Sequence, residues 1–308
     1  MEAWIPITVA AAFLQNLRTA LQKHLKAQLS TAGATFARFC FAVPLAYAYL
    51  AGLLWFEGRG AGQATPWQLP ALGPDFLLFC ITGAAAQILA TALLVALFSY
   101  RNFAVGTAYS KTETVQTALF GSLVLHEHLS FAALLGVVIS LAGVITVSAA
   151  RSSLRARQLL LDLTARPALM GILSGGLFGI SAVSYRAAAL ALPEGSAWLR
   201  AAVTLASVVT LQSVMMSLYL VLREPGQIGK VLRSWRVTGL VSVTGLAGSV
   251  CWFTAMTLQN AAYVRALGQI ELVFTFIATT LVFREEIRRT EIFGILLIVA
   301  GILVLVLE

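Results

Sequence analysis

Ten stretches of the chain are each long and apolar enough to cross a bilayer: 4–22, 31–54, 75–98, 103–125, 130–149, 168–190, 196–222, 236–257, 261–283 and 290–307. A helical span needs about 20 predominantly apolar residues to cross a hydrocarbon core about 30 Å thick. With no water at that depth, the backbone must satisfy its own hydrogen bonds, which leaves helices or closed barrels. Stretches this long, with little between them, predict an all-α polytopic membrane protein of ten spans. Composition agrees, since only 11% of the residues are charged and 59% are hydrophobic, against about 25% charged in soluble domains. Short loops and one linker near 151–167 remain, with no room for a soluble catalytic domain. Met1-Glu2-Ala3-Trp4 carries no basic n-region and no small-residue cleavage site follows, so the first stretch reads as a retained span.

The net charge of +8 is explained by where the charges lie. Of 21 Lys and Arg, six fall within spans: Arg18, Arg38, Lys111, Arg186, Arg200 and Arg265. Fourteen fall in the connections after odd-numbered spans, counting Arg236 at the very edge of its span, and one, Arg59, lies on the opposite side. Such a bias in short loops marks the cytoplasmic face. It places both termini outside the cytoplasm and removes any need for a nucleic-acid partner.

The chain also repeats itself. Shifting it by 158 residues aligns 102–147 with 260–305 without a gap and with 12 identities in 46 positions. Apolar matches come cheaply in such a chain. Asn102/Asn260, Glu113/Glu271, Glu127/Glu285, Gly136/Gly294 and Gly143/Gly301 do not. Arg38 and Arg200 correspond further upstream at a shift of 162. The halves are 1–150 and 168–308, joined by a cytoplasmic linker at 151–167. Each holds five spans, so the second enters the membrane from the opposite side to the first. Two inverted five-helix repeats around a central cavity are a transporter architecture with the site near the midplane.

These residues carry a family resemblance. Glu127 with Gly136 and Gly143, repeated as Glu285, Gly294 and Gly301, resembles the EamA family of the drug/metabolite transporter superfamily. So do Glu113 and Glu271, fourteen residues before each turn glutamate, and Arg38 and Arg200 in spans two and seven. The likeness covers nearly the whole chain. Family members often follow the membrane glutamate with proline, whereas Thr114 and Leu272 stand here, so no proline kinks these spans. The resemblance implies a cavity lined by spans one to four and six to nine, with five and ten peripheral. It further implies a carrier of small polar metabolites without ATP-binding machinery.

Charges at depth are costly and need reasons. Glu113 and Glu271 are the acids deep within spans, whereas Asp75 and Glu291 stand at span ends. Each of the deep pair is eleven residues past the asparagine before its span. That is about 16 Å along a helix, near the midplane. They read as carboxylates for a cation, an amine or a proton. Lys111 and Gln116 lie beside Glu113 in sequence. Lys111 does not share its helix face and is expected to meet a substrate carboxylate or a carboxylate on another helix. Position 269, equivalent to Lys111, is glutamine, and Arg265 is nearly two turns from Glu271. This gives an expected division of labour: Glu113 with Lys111 recognises the solute, and Glu271 carries the proton.

Gln15, Arg18, Thr19 and Gln22 form a polar stripe of helical period on the first span, expected to line the cavity. Arg38, Arg200 and Arg265 either line it or snorkel, and Arg186 reads as an anchor at its span's end. Span six carries Gly171, Gly175 and Gly179, a face for close helix contact. Gln269, Tyr109, Tyr263 and Trp252 complete the candidate pocket. His126-Glu127-His128 reads as a solvated turn rather than a metal site, and Cys40, Cys80 and Cys251 as packing residues. No cofactor is expected. The expected partners are a small solute and membrane lipids, for a monomer or homodimer.

The leading expectation is an inner-membrane secondary carrier that exports or exchanges an amino-acid-like, zwitterionic or anionic solute, with proton coupling. Import of a choline-like cation is the alternative. A lipid-modifying enzyme is the rival class, which lacks an acid–histidine cluster at one membrane face. The charge asymmetry predicts that a reporter active only in the cytoplasm stays silent when fused after Glu308. Clear activity there would reverse the orientation.

Overall fold

The computed structural model describes residues 2–25, 28–60, 69–97, 99–100, 106, 109–151, 165–281 and 288–307. Among these, all regular structure is helical. The helices are α1 (Trp4–Leu25), α2 (Thr31–Phe36), α3 (Ala42–Gly60), α4 (Pro74–Leu97), α5 (Glu113–Leu125), α6 (Phe131–Arg151) and α7 (Arg166–Ala191). They continue as α8 (Ala197–Arg223), α9 (Gln227–Arg233), α10 (Trp235–Leu258), α11 (Ala261–Leu267), α12 (Glu271–Leu281) and α13 (Arg289–Val306). Six helices among the described residues are long and apolar enough to span a membrane: α4, α6, α7, α8, α10 and α13. Leu218, Val221, Leu222, Leu296 and Phe131 are all exposed, as lipid-facing side chains are. The chain is a multi-pass membrane protein.

Three expected spans are interrupted. The stretch 31–54 is α2, a run of turns at 37–41 carrying Arg38, and then α3. In 261–283 a 3-10 turn at Gly268–Ile270 separates α11 from α12. In 103–125 a turn at 111–112 precedes α5. The missing proline at 114 and 272 therefore did not keep the last two segments straight, and in the first Pro44 stands in the opening turn of α3. Ser30 caps α2 by accepting from the Gly33 amide at 3.0 Å, and Asn260 caps α11 by accepting from Ala262 at 2.8 Å. Each of these short leading helices thus gains a partner for an orphan amide. His126 closes α5 in the left-handed region, at φ 53°, so the His-Glu-His motif is a helix stop. Glu285 lies outside the described residues.

The chain forms two compact units, Met1–Ile88 with Ser181–Gln259 and Leu89–Ile180 with Asn260–Glu308. Each draws on both halves of the sequence.

In the first unit, α3, α4, α7, α8 and α10 share a core that includes Leu50, Phe76, Cys80, Leu205 and Phe253. Tyr185 organises its polar centre. Its ring stacks on Phe253 at 4.3 Å, and its hydroxyl donates to the Gly83 carbonyl at 2.9 Å. Gln212 Nε2 donates to that hydroxyl at 3.2 Å and to Gln87 Oε1 at 2.9 Å. Gly83 leaves the space the ring occupies, since a Cβ there would come within 2.8 Å of it. Arg186, expected as an anchor, instead caps α10. Its Nη1 donates to the carbonyls of Met256 and Gln259, both at 2.7 Å. The last carbonyls of a helix have no partner of their own, and a cation suits that end of the dipole.

In the second unit, α6 and α13 run antiparallel through repeated glycines. A Cβ at Gly136 would meet Gly301 O at 2.8 Å, and one at Gly143 would meet Gly294 O at 2.6 Å. Each repeated glycine thus faces the other glycine of the opposite helix. Without hydrophobic drive between helices in lipid, such close approach supplies dispersion contacts. The α7 glycines serve the same end, and a Cβ at Gly175 would come 2.7 Å from Ser110 O.

Gly143→Val should cost about 2–3 kcal/mol by overpacking this seam, read as a fall in the melting temperature in detergent. Gly239→Ala, where a Cβ meets nothing within 4 Å, should melt with the parent or slightly above it. Parent-like melting of Gly143→Val would show that the seam is not tight.

Candidate functional site

In both halves the membrane glutamate opens a helix. Glu113 begins α5 and Glu271 begins α12, each directly after an interruption. A carboxylate in the first turn is favoured by the unpaired amides and the positive end of the dipole. The same hydroxyl follows each of them: Thr117 Oγ1 donates to Glu113 O at 2.7 Å, and Thr275 Oγ1 to Glu271 O at 2.9 Å. The sequence identity of 113/271 and 117/275 is therefore also an identity of local structure.

The side chains are paired crosswise. Lys111 Nζ binds Glu271 Oε1, and Arg265 Nε lies 2.9 Å from Glu113 Oε1. Each glutamate is held by a cation from the other half. This corrects the expectation that Lys111 serves Glu113 and that Glu271 has no cationic neighbour. Lys111 took its other expected option, a carboxylate on another helix. The six-residue separation of Arg265 and Glu271 is immaterial, because Arg265 reaches across to the other repeat. Gln269, which stands where the first half has Lys111, donates to Thr114 Oγ1 at 2.7 Å and adds a third bridge between the halves.

The two pairs differ in burial. Arg265 is 8% exposed beside Glu113 at 13%, whereas Lys111 is 20% exposed beside Glu271 at 13%. An Arg guanidinium is a rigid planar fork, while a Lys ammonium is a point charge on a flexible stem. The Lys111–Glu271 pair is therefore the easier of the two to open.

Other candidates of the second unit have different surroundings. Gln116 turns away from Glu113 and donates to Thr112 Oγ1 at 2.8 Å and to the Ile172 carbonyl at 3.3 Å. Tyr109 is buried with Ala149, Ala168 and Ile172, a packing role. Tyr263 is half-buried on α11.

Gln15, Arg18, Gln22, Arg38, Arg200 and Trp252 belong to the first unit. Arg18 and Arg38 are both buried, so neither snorkels. Arg38 Nη2 donates to Ser249 Oγ at 3.3 Å. Gln22 Nε2 donates to the Ala34 carbonyl at 3.1 Å, tying α1 to α2. Gln15 is half-buried on the same α1 face, Arg200 is half-buried on α8, and Trp252 is buried on α10. Sequence reasoning missed Thr114, Ser249 and the Gln87–Gln212–Tyr185 network. For Ser249 a signal existed, since Ser242, Gly245 and Ser249 recur at helical spacing on one face of α10.

An all-helical membrane protein with paired charges at the breaks of two repeated helices belongs among the membrane transporters. Specifically, the chain belongs to the EamA-like transporter family, whose model matches residues 3–149 and again residues 166–307. That is a transporter of the drug/metabolite type, with the family unit present twice. A solved structure described only as "Crystal structure of protein" superposes with a TM-score of 0.69 at 17% identity, covering 99% of this chain and 96% of that one. It bears on the fold alone. No curated protein matches the chain.

Breaking one partner of a buried pair leaves a charge uncompensated, at about 3–5 kcal/mol. Glu113→Gln should therefore lower the melting temperature clearly, and Arg265→Met combined with Glu113→Gln should recover much of the loss. A double variant as unstable as the sum of the two singles would show that the pair is not coupled.

Proposed function

We propose that the chain is a secondary carrier working by alternating access, which exports or exchanges an amino-acid-like, zwitterionic or anionic solute and is coupled to protons. In this reading ten spans form two inverted five-helix repeats, 1–150 and 168–308, around a central cavity. The cytoplasmic linker is 151–167, and the protein sits in the inner membrane with both termini outside. The observation that carries the reading is the crossed pairing of Lys111 with Glu271 and Arg265 with Glu113.

An internal ion pair suits a zwitterion for a simple reason. When Lys111 and Glu271 separate, each loses its counter-charge at depth, which is costly. A solute carboxylate on Lys111 and a solute ammonium on Glu271 restore both at once, with no net charge added. A proton on Glu271 releases Lys111 as well, so solute and proton compete for one carboxylate, which is the linkage that coupling requires. The second pair, with its more buried Arg265, stays closed and holds the two halves together. A choline-like cation would have to displace the Lys111 ammonium and leave it uncompensated, so the organic-cation alternative is the weaker one.

A thermal-shift panel of amino acids, organic acids, nucleosides, sugars and quaternary amines identifies the solute, because a ligand of the folded state raises apparent stability. In proteoliposomes, Glu271→Gln should then abolish uphill transport driven by a pH gradient while leaving counterflow exchange measurable. If Glu271→Gln still concentrates the solute as well as the parent does, Glu271 does not couple the proton.

A further inference from the structure

A short helix joins two spans at one membrane face. α8 and α10 are each long and apolar enough to cross the bilayer, so α9 and its flanks, 223–236, lie where both leave the hydrocarbon. This connection carries four cations, Arg223, Lys230, Arg233 and Arg236, against one acid, Glu224. The corresponding connection of the first half, 55–74, carries only Glu57 and Arg59. The basic surplus is therefore not inherited from the duplication.

One side of α9 is fixed to the protein. Val231 is fully buried, and its carbonyl accepts from Thr238 Oγ1 of α10 at 3.0 Å. Gln227 packs on α2, where a Cβ at Gly33 would come 3.0 Å from its Oε1. Glu224 is engaged elsewhere, since its Oε2 accepts from Ser30 Oγ, the cap of α2, at 2.5 Å. The four cations are all exposed, and among the described residues none of them forms an ion pair. Apolar side chains stand exposed with them, Leu232 at 46% and Trp235 at 60%. The Arg236 guanidinium lies 5.6 Å from the centroid of the Trp235 ring.

A surface that mixes cations with leucine and tryptophan suits neither water nor hydrocarbon alone. Tryptophan settles at the headgroup level of a bilayer. Lys and Arg lay their stems along apolar surface while their heads reach polar groups. A basic cluster at the end of a span attracts anionic lipid, and the arginine fork matches a phosphate bidentately. A zwitterionic headgroup brings its own ammonium, which the same cations repel. We propose that the exposed side of 223–236 is a binding surface for an anionic phospholipid, with Lys230, Arg233 and Arg236 holding the phosphate and Leu232 and Trp235 seating the glycerol and first acyl carbons. This surface stands apart from the ion pairs of Glu113 and Glu271, and it does not depend on which membrane face the connection occupies.

The test uses the purified full-length protein in neutral detergent, with melting temperature as the readout. Mixed micelles of phosphatidylglycerol or of phosphatidylcholine with the same acyl chains are titrated in. Phosphatidylglycerol should stabilise the parent saturably and at lower concentration than phosphatidylcholine, and added salt should weaken the effect. Lys230→Gln with Arg233→Gln should weaken phosphatidylglycerol binding about tenfold or more. Arg166→Gln with Arg289→Gln removes two exposed cations from other connections and should leave binding within about twofold of the parent. The two double variants carry the same net charge, so general attraction to an anionic micelle is held constant. Where the first double variant melts below the parent without lipid, Lys230→Gln alone decides, with an expected loss of about fivefold. The surface is refuted if the two lipids stabilise alike, or if both double variants lose affinity equally. Stabilisation by inorganic phosphate as strong as that by phosphatidylglycerol would make the occupant a soluble anion and equally refute it.

Discussion

A charge removed from water must be answered inside the protein, and the crossed pairing of Glu113 and Glu271 is how this chain answers the acids at its two repeated helix breaks. Much of the second unit is arranged around that need. The helices break just before each glutamate, so the carboxylates sit at helix N-termini where the dipole favours them. The breaks leave backbone that the bundle must shelter, because unpaired peptide groups are not tolerated in hydrocarbon. The glycines of α7 let it approach so closely that its backbone packs against Gly106, Ser110, Glu113 and Thr117. A larger residue at Gly175 would push against Ser110 O and Glu113 N, and so against the start of α5 itself.

The same economy governs the other cations. Six Lys and Arg against two acids deep within the spans suggests a strongly positive interior. That count overstates what a solute would meet. Lys111 and Arg265 are matched by the glutamates, and Arg186 is occupied with the last carbonyls of α10. Arg288, from a connection outside the spans, does similar work by donating to the Ala150 carbonyl at 2.8 Å. Arg18, Arg38 and Arg200, the other cations within spans, all lie in the first unit. Where a cation sits therefore says more about solute charge than how many cations there are.

How much of this was legible from the sequence depends on the range of the interaction. Apolar length is a local property, and α1, α4, α6, α7, α8, α10 and α13 lie close to where it places them. The glycine positions were legible as motifs, and the structure gives them partners at the distances that only glycine permits. The break at 268–270 was not, because no proline marks it, and the one at 37–41 was marked only by Pro44 in the first turn of α3, which a reading of apolar length passes over. Ion pairing was misread for a related reason. Sequence neighbourhood puts Lys111 beside Glu113, but residues two apart on a helix point to different sides. The partner had to come from another helix, and a single sequence does not say which one. Arg186 shows the same limit, since nothing near it in the chain reveals that it faces the end of α10.

The differences between the repeats are as informative as their likeness. Glu113 and Glu271, Thr117 and Thr275, and the paired glycines keep the same work in both halves. The cations do not: Lys111 corresponds to Gln269, and Arg265 corresponds to Thr107. A fully symmetric protein would place identical pairs on both sides of the pseudo-axis, and any solute or proton that opened one would open the other equally. Here one pair joins a flexible ammonium to Glu271 with more exposure, and the other joins a rigid guanidinium to Glu113 with less. The Gln269–Thr114 hydrogen bond, at 2.7 Å, occupies the place a second lysine would take, and does so without charge. Divergence at two positions is thus enough to turn a symmetric pair of contacts into a more buried guanidinium pair and a more exposed ammonium pair, while the helix starts that carry both glutamates remain alike.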